Sequence, residues 1–202
     1  MDINFFSRGL IIGFSIAAPV GPIGVLCIRR TLAQGRAIGL ISGLGAATAD
    51  GVYGSIAGFG LTFISGFLVS QQLWLRIVGG IFLCYLGIST FLAKPAQSAA
   101  ETTGKGLIGA YASTFFLTVT NPLTILSFAA IFAGLGIASS DSNYLDSGIL
   151  VLGVFLGSAI WWLLLSTGVS ILRTKFRERS LIWVNKISGL IILVFGIIAL
   201  LG

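Results

Sequence analysis

Histidine is absent from this chain of 202 residues, cysteine occurs twice, and only 9% of the residues are charged. Cys27 and Cys84 both lie in apolar surroundings with no histidine to join them, which argues against a transition-metal cluster. The shortage of charge excludes more. An ordinary soluble domain carries about 25% charged residues, and no soluble surface can be built from so few. The net charge of +6 is no sign of nucleic-acid binding, because the basic residues sit in connections between apolar segments rather than on a soluble face. A nucleotide-binding loop is also missing, so direct use of ATP by this chain is excluded.

What the chain has in abundance is apolar length. Hydrophobic residues make up 56%, and six runs, 5–28, 37–63, 73–92, 107–135, 148–172 and 183–201, are long enough to cross a bilayer core. Backbone groups cannot stay unpaired in lipid, and the runs lack the alternation of barrel strands, so they are expected to be α-helices. The expected fold is an all-α integral membrane protein of six transmembrane helices, one domain over 1–202. Its first segment is too long for a signal-peptide core and has no basic region before it, so it is expected to be retained. The longest polar connection, 93–106, is a linker rich in Ala, Ser and Thr.

The basic residues report orientation. Arg29, Arg30 and Arg36 follow the first run, Lys94 and Lys105 the third, and Arg173, Lys175, Arg177, Arg179 and Lys186 the fifth. The other side holds Arg8 and Arg76 beside Asp2, Asp141 and Asp146. The positive-inside rule puts the odd-numbered connections in the cytoplasm and both termini in the periplasm of a bacterial inner membrane.

Three runs precede the linker and three follow it. A duplicated unit with an odd number of crossings inserts upside down relative to its twin, the plan of many secondary transporters, with repeat 1 at about 5–92 and repeat 2 at about 107–202. The prolines support this division: Pro19, Gly21 and Pro22 interrupt helix one, and Asn121 and Pro122 interrupt helix four at similar depth. Proline lacks an N–H and clashes with the carbonyl four residues back. The carbonyls of Ser15, Ala18 and Thr118 are therefore expected to be released. In lipid such groups persist only where protein, water or a ligand meets them, so both breaks should face an internal cavity. The N-terminal end of a half-helix offers unpaired N–H groups and partial positive charge, which suits a carboxylate. Thr114, Thr118, Asn121 and Thr124 add hydrogen-bonding groups at the second break. The plainer alternative is that the prolines only kink packed helices.

Helix two carries Gly35, Gly39, Gly43, Ala47, Gly51 and Ser55 at spacing four, a small-residue row suited to close helix packing. Near its middle stands Asp50, the one carboxylate inside a long apolar stretch. Charge at the bilayer centre costs at least about 2.5 kcal/mol, so such a residue is a candidate site for substrate, ion or proton. It could instead cap a neighbouring helix or pair with Arg36 or Arg76, but both arginines lie near span ends.

The stretch from Pro19 to Leu61, PVGPIGVLCIRRTLAQGRAIGLISGLGAATADGVYGSIAGFGL, together with GGIFLCYLG at 79–87 and TNPLTILSF at 120–128, resembles the lysine exporter (LysE/RhtB) family of amino-acid efflux proteins. The resemblance covers essentially the whole chain. It places the family's Gly-Pro on Gly21 and Pro22, its loop Gly-Arg on Gly35 and Arg36, its helix-two acidic element on Gly45 to Asp50, and its Asn-Pro on Asn121 and Pro122. Leu123 stands where the family often has Lys, and Ala49 where it often has Gly.

Together, residues and resemblance imply a secondary active exporter of amino acids or related small metabolites, not an enzyme, working by proton antiport and alternating access. Asp50 would hold the ammonium group or the proton, and a half-helix end near Gly21 or Asn121 the carboxylate. The expected site is Asp50, Pro19, Gly21, Pro22, Thr118, Asn121, Pro122 and Thr124, with Ser15, Tyr53, Trp161 and Trp162 as further pocket candidates. No cofactor or metal is called for; protons and lipid are the other expected partners, and a homo-oligomer is compatible. A membrane dithiol carrier would need a cysteine beside each proline break, yet Ser127 stands at the position equivalent to Cys27. A channel or non-transporting membrane subunit is the remaining alternative.

Overall fold

The computed structural model describes residues 3–19, 21–59, 70–92, 104–121, 124–125, 127–128, 144–173 and 178–201. Pro122, Leu123, Lys94, Asp141, Lys175 and Arg177, most of the linker and the later part of the fourth run lie outside them. Seven helices are formed by the described residues: α1 Ile3–Ala17, α2 Pro22–Gln34, α3 Arg36–Gly58, α4 Gln72–Leu92, α5 Gly104–Val119, α6 Tyr144–Arg173 and α7 Glu178–Leu201. No strand occurs among those residues.

Three helical stretches, Leu73–Leu92, Tyr144–Leu172 and Ile182–Leu201, are long and apolar enough to cross a membrane. A fourth span results if α1 and α2 count as one, bent by 79° between Ala17 and Pro22. The protein is thus a multi-pass, helical membrane protein. The bend lies where proline was expected to interrupt helix one: Pro22 takes the first helical position of α2, where its missing N–H costs nothing, and Gly21 precedes it as N-cap. Beyond the bend α2 runs to Gln34, so Arg29 and Arg30, which charge counting assigns to a connection, lie within a helix. Gly35 then turns the chain into α3 at φ 102°, a left-handed conformation that favours glycine, and its N–H caps the Thr31 carbonyl at 3.0 Å.

The 23-residue α3 is not among the helices apolar enough to span by composition. Its Gly and Ala residues carry little apolar surface, and what they provide instead is close approach. It packs against α6, α5 and α2 and buries Ala46, Ala47, Ala49 and Asp50. Outside this centre, α1 lies along α6 and α4 along α7. Both pairs interlock through glycine. A Cβ at Gly153 of α6 would lie 2.9 Å from the Leu10 nitrogen of α1, and one at Gly13 would lie 2.7 Å from the Val154 carbonyl carbon. Between α4 and α7 the fit is reciprocal: a Cβ at Gly87 would stand 2.9 Å from the Gly189 oxygen, and one at Gly189 2.8 Å from the Gly87 oxygen. Such small-residue contacts let backbones meet where lipid supplies no hydrophobic driving force between helices.

Candidate functional site

The bend between α1 and α2, the middle of α3 and the C-terminal end of α5 enclose a cavity of about 390 Å³. Pro19, Gly21, Pro22, Ile23 and Gly24 form its wall on the side of the bend. Among the described residues no side chain caps the start of α2. Ile23 and Gly24, whose N–H groups are first-turn donors beyond reach of an intrahelical carbonyl, line the cavity at the positive end of the helix dipole. Asp50 lines the same cavity from α3 and is only 3% exposed. Its Oδ2 accepts a 2.7 Å hydrogen bond from the Ser158 hydroxyl of α6, and Ser158 in turn accepts one from Trp162 Nε1 at 3.1 Å. One carboxylate, one helix N-terminus and an apolar surround are thus gathered around a space whose volume falls within the roughly 300–1,000 Å³ of small-molecule sites.

Among the sequence-derived candidates, Pro19, Gly21, Pro22, Asp50, Thr118, Asn121, Thr124 and Trp162 all line this cavity. Pro122 lies outside the described residues. Ser15 is exposed on α1 and is not part of the wall. Tyr53 is buried one turn beyond Asp50, and its hydroxyl donates to the Val119 carbonyl at the end of α5, closing that end of the α3–α5 seam. Trp161 packs edge-on against Phe14 of α1, with ring centroids 5.3 Å apart. The Thr118 carbonyl accepts the Asn121 N–H at 3.2 Å, so the turn after α5 takes up one of the groups that proline was expected to release. The Thr118 hydroxyl donates back to Thr114.

Sequence reasoning missed two residues. Ser158 was hidden as one small residue in the apolar run of α6; the signal that could expose it is its i, i+4 spacing to Trp162, whose indole N–H needs an acceptor when buried. Arg30 was read only as a topology signal. In the structure its guanidinium donates to the Ser42 hydroxyl, the Ala110 carbonyl, the Thr114 hydroxyl and the Ser113 hydroxyl at 2.8 to 3.0 Å. On another face of α2, Arg29 Nε donates to Asn185 Oδ1 of α7 at 3.1 Å. Both cysteines are free: Cys27 is buried in α2, while Cys84 of α4 abuts Gly196 of α7. Among the described residues no group of His, Cys, Asp or Glu could hold a metal ion.

Comparison with known proteins places these features in a wider set. A family model described as LysE type translocator matches residues 14–202. The chain is 31% identical to a Bacillus subtilis protein named "Putative amino acid efflux protein YcgF", over 96% of this chain and 93% of the relative. It is 26% identical to the "Uncharacterized membrane protein slr1627" of Synechocystis, over 93% and 91% of the two chains. It is 27% identical to the "Uncharacterized membrane protein YahN" of Escherichia coli, over 84% and 77%. No solved structure matches it.

Proposed function

The chain belongs to the LysE type translocator family, and on that premise we propose that it is a secondary active exporter of amino acids or related small metabolites, driven by proton antiport and working by alternating access across a bacterial inner membrane. The observation that carries this reading is Asp50: a carboxylate buried in a membrane protein, lining the same cavity as the N-terminal residues of α2. A zwitterion needs complementary charge at two ends. The first-turn N–H groups of α2 suit its carboxylate and Asp50 suits its ammonium, while apolar wall residues accept a side chain. A carboxyl that changes its charge state at such a place is also suited to carry the counter-transported proton. The efflux named for the Bacillus subtilis relative agrees with export as the direction.

The proposed architecture is six spans in two inverted halves, α1 to α4 and α5 to α7, within a single domain over 1–202. Its support is the packing order: α1 lies on α6 as α5 lies on α3, while α3 meets α6 and α4 meets α7. Exchange of the two halves maps the first two pairings onto each other and the last two onto themselves, as a two-fold axis in the membrane plane requires. With the basic residues in the cytoplasm, the Gly35 turn is cytoplasmic and both termini are periplasmic.

Competitive efflux from vesicles loaded with a panel of amino acids, under an imposed pH gradient, tests the proposal. Export of at least one panel member, accelerated by the gradient, is expected; export of none at confirmed membrane abundance contradicts it.

A further inference from the structure

Arg30 occupies an unusual position. Its four hydrogen bonds go to three hydroxyls and a carbonyl, and among the described residues no carboxylate bonds to it. Ser42 and Thr114 are completely buried. A cation drawn into a helix seam normally acquires an anionic partner, because neutral acceptors compensate poorly for its lost hydration. This one is surrounded by groups that can be exchanged.

Its level in the seam gives the position a consequence. Thr114 lies one turn before Thr118 on α5, and Ser42 one turn before Ala46 on α3; Thr118 and Ala46 both line the cavity. Arg30 is six residues beyond Gly24, another wall residue, so the cage sits roughly 5–9 Å below the cavity on the way to the Gly35 turn. A single side chain here fastens α2 to both α3 and α5 at a level between that turn and the cavity.

We propose that Arg30 is a carboxylate-reading gate: its guanidinium closes the seam on neutral acceptors, and the carboxylate of an incoming substrate takes their place and opens it. The exchange is favourable because the present partners offer the guanidinium only neutral dipoles, whereas a carboxylate meets its planar fork with a full opposite charge and two parallel bonds. Three acceptors crowd onto one terminal nitrogen that carries two hydrogens, so the closed cage cannot satisfy every bond ideally at once. The gate deepens the exporter reading and rests on it for the direction of substrate entry, with the Gly35 turn in the cytoplasm.

The test uses the full chain with Cys27→Ser and Cys84→Ser, and Ser127→Cys as a near-isosteric reporter on the cavity wall. A membrane-impermeant maleimide is applied from the Gly35 side in inverted vesicles. Labelling should be slow, and about tenfold faster after Arg30→Gln or, separately, Ser113→Ala. Ser113 is half-buried and loses only a hydroxyl, so it reports even where Arg30→Gln fails to accumulate. A mixture of common amino acids on that side should speed labelling of the otherwise unaltered gate, and the corresponding amino-acid amides should not. Unchanged labelling in both variants overturns the gate, and equal action by the amides overturns carboxylate recognition. Efflux from the same vesicles separates the two claims. Absence of export with the labelling pattern intact sinks the exporter and leaves the gate; export without that pattern removes the gate alone.

Discussion

The α4–α7 and α3–α6 seams are built from the same small-residue vocabulary but to different ends. Between α4 and α7, Gly80, Gly87, Gly189 and Gly196 bring the backbones together, and Arg76 Nε reaches the Ala199 carbonyl near one end at 3.2 Å. Between α3 and α6, Gly54 leaves room for Val154 and Gly43 for the Trp162 side chain, and the space so made holds Asp50, Ser158 and the indole N–H of Trp162 in one hydrogen-bonded line. Close approach is the product of the first seam. In the second it is a means of burying a carboxylate beside a cavity. The difference teaches that glycine content alone does not identify a transport pathway in a helical membrane protein; a polar side chain that the glycines shelter does.

If the contrast is right, damage to the two seams separates abundance from activity. The largest expected effect is Gly87→Val: the added carbons meet the Gly189 carbonyl and the Leu193 nitrogen, backbone atoms that cannot swing aside. Overpacking of this kind costs about 1–3 kcal/mol, so membrane abundance and thermal stability in detergent should fall sharply while export per remaining molecule is preserved. Loss of export per molecule at normal abundance would break the comparison from the α4–α7 side. Ser158→Ala should act on turnover as well. It deletes the hydroxyl that bonds the Asp50 carboxyl and accepts the Trp162 indole N–H, so export per remaining molecule should fall roughly tenfold after correction for abundance, and Ser158→Thr should restore part of it. An unaffected rate would place Ser158 with the packing residues. The smallest effect belongs to Cys27→Ser in α2 with Cys84→Ser in the α4–α7 seam: efflux should stay within about twofold of the parent, and loss of transport by a folded double variant would restore a redox reading.

Much of this was legible before any coordinates. Charge scarcity and long apolar runs gave a helical membrane protein, and Pro19 to Pro22 marked the bend because proline's missing N–H is a covalent fact that packing cannot repair. Asp50 stood out because nothing else inside an apolar run is acidic. The partner of Asp50 was not legible, since contact across 108 residues depends on how α3 and α6 face each other. Arg30 was misplaced for a physical reason as well. Charge counting assigns basic residues to connections, whereas here hydroxyls on α3 and α5 let a guanidinium stay inside a helix seam. The second break was legible as Asn121-Pro122: α5 ends at Val119 and the Asn121 N–H turns back onto the Thr118 carbonyl, while Pro122 lies outside the described residues.

Asp50 carries the central claim, and Asp50→Asn tests it most directly. The amide keeps the size of the side chain and can still accept from Ser158, but it can neither ionise nor carry a proton. Efflux of a transported amino acid from vesicles is measured with and without an imposed pH gradient, at matched membrane abundance. The account predicts that acceleration by the gradient disappears in Asp50→Asn and persists, with an altered pH profile, in Asp50→Glu; normal gradient-driven export by Asp50→Asn would contradict it.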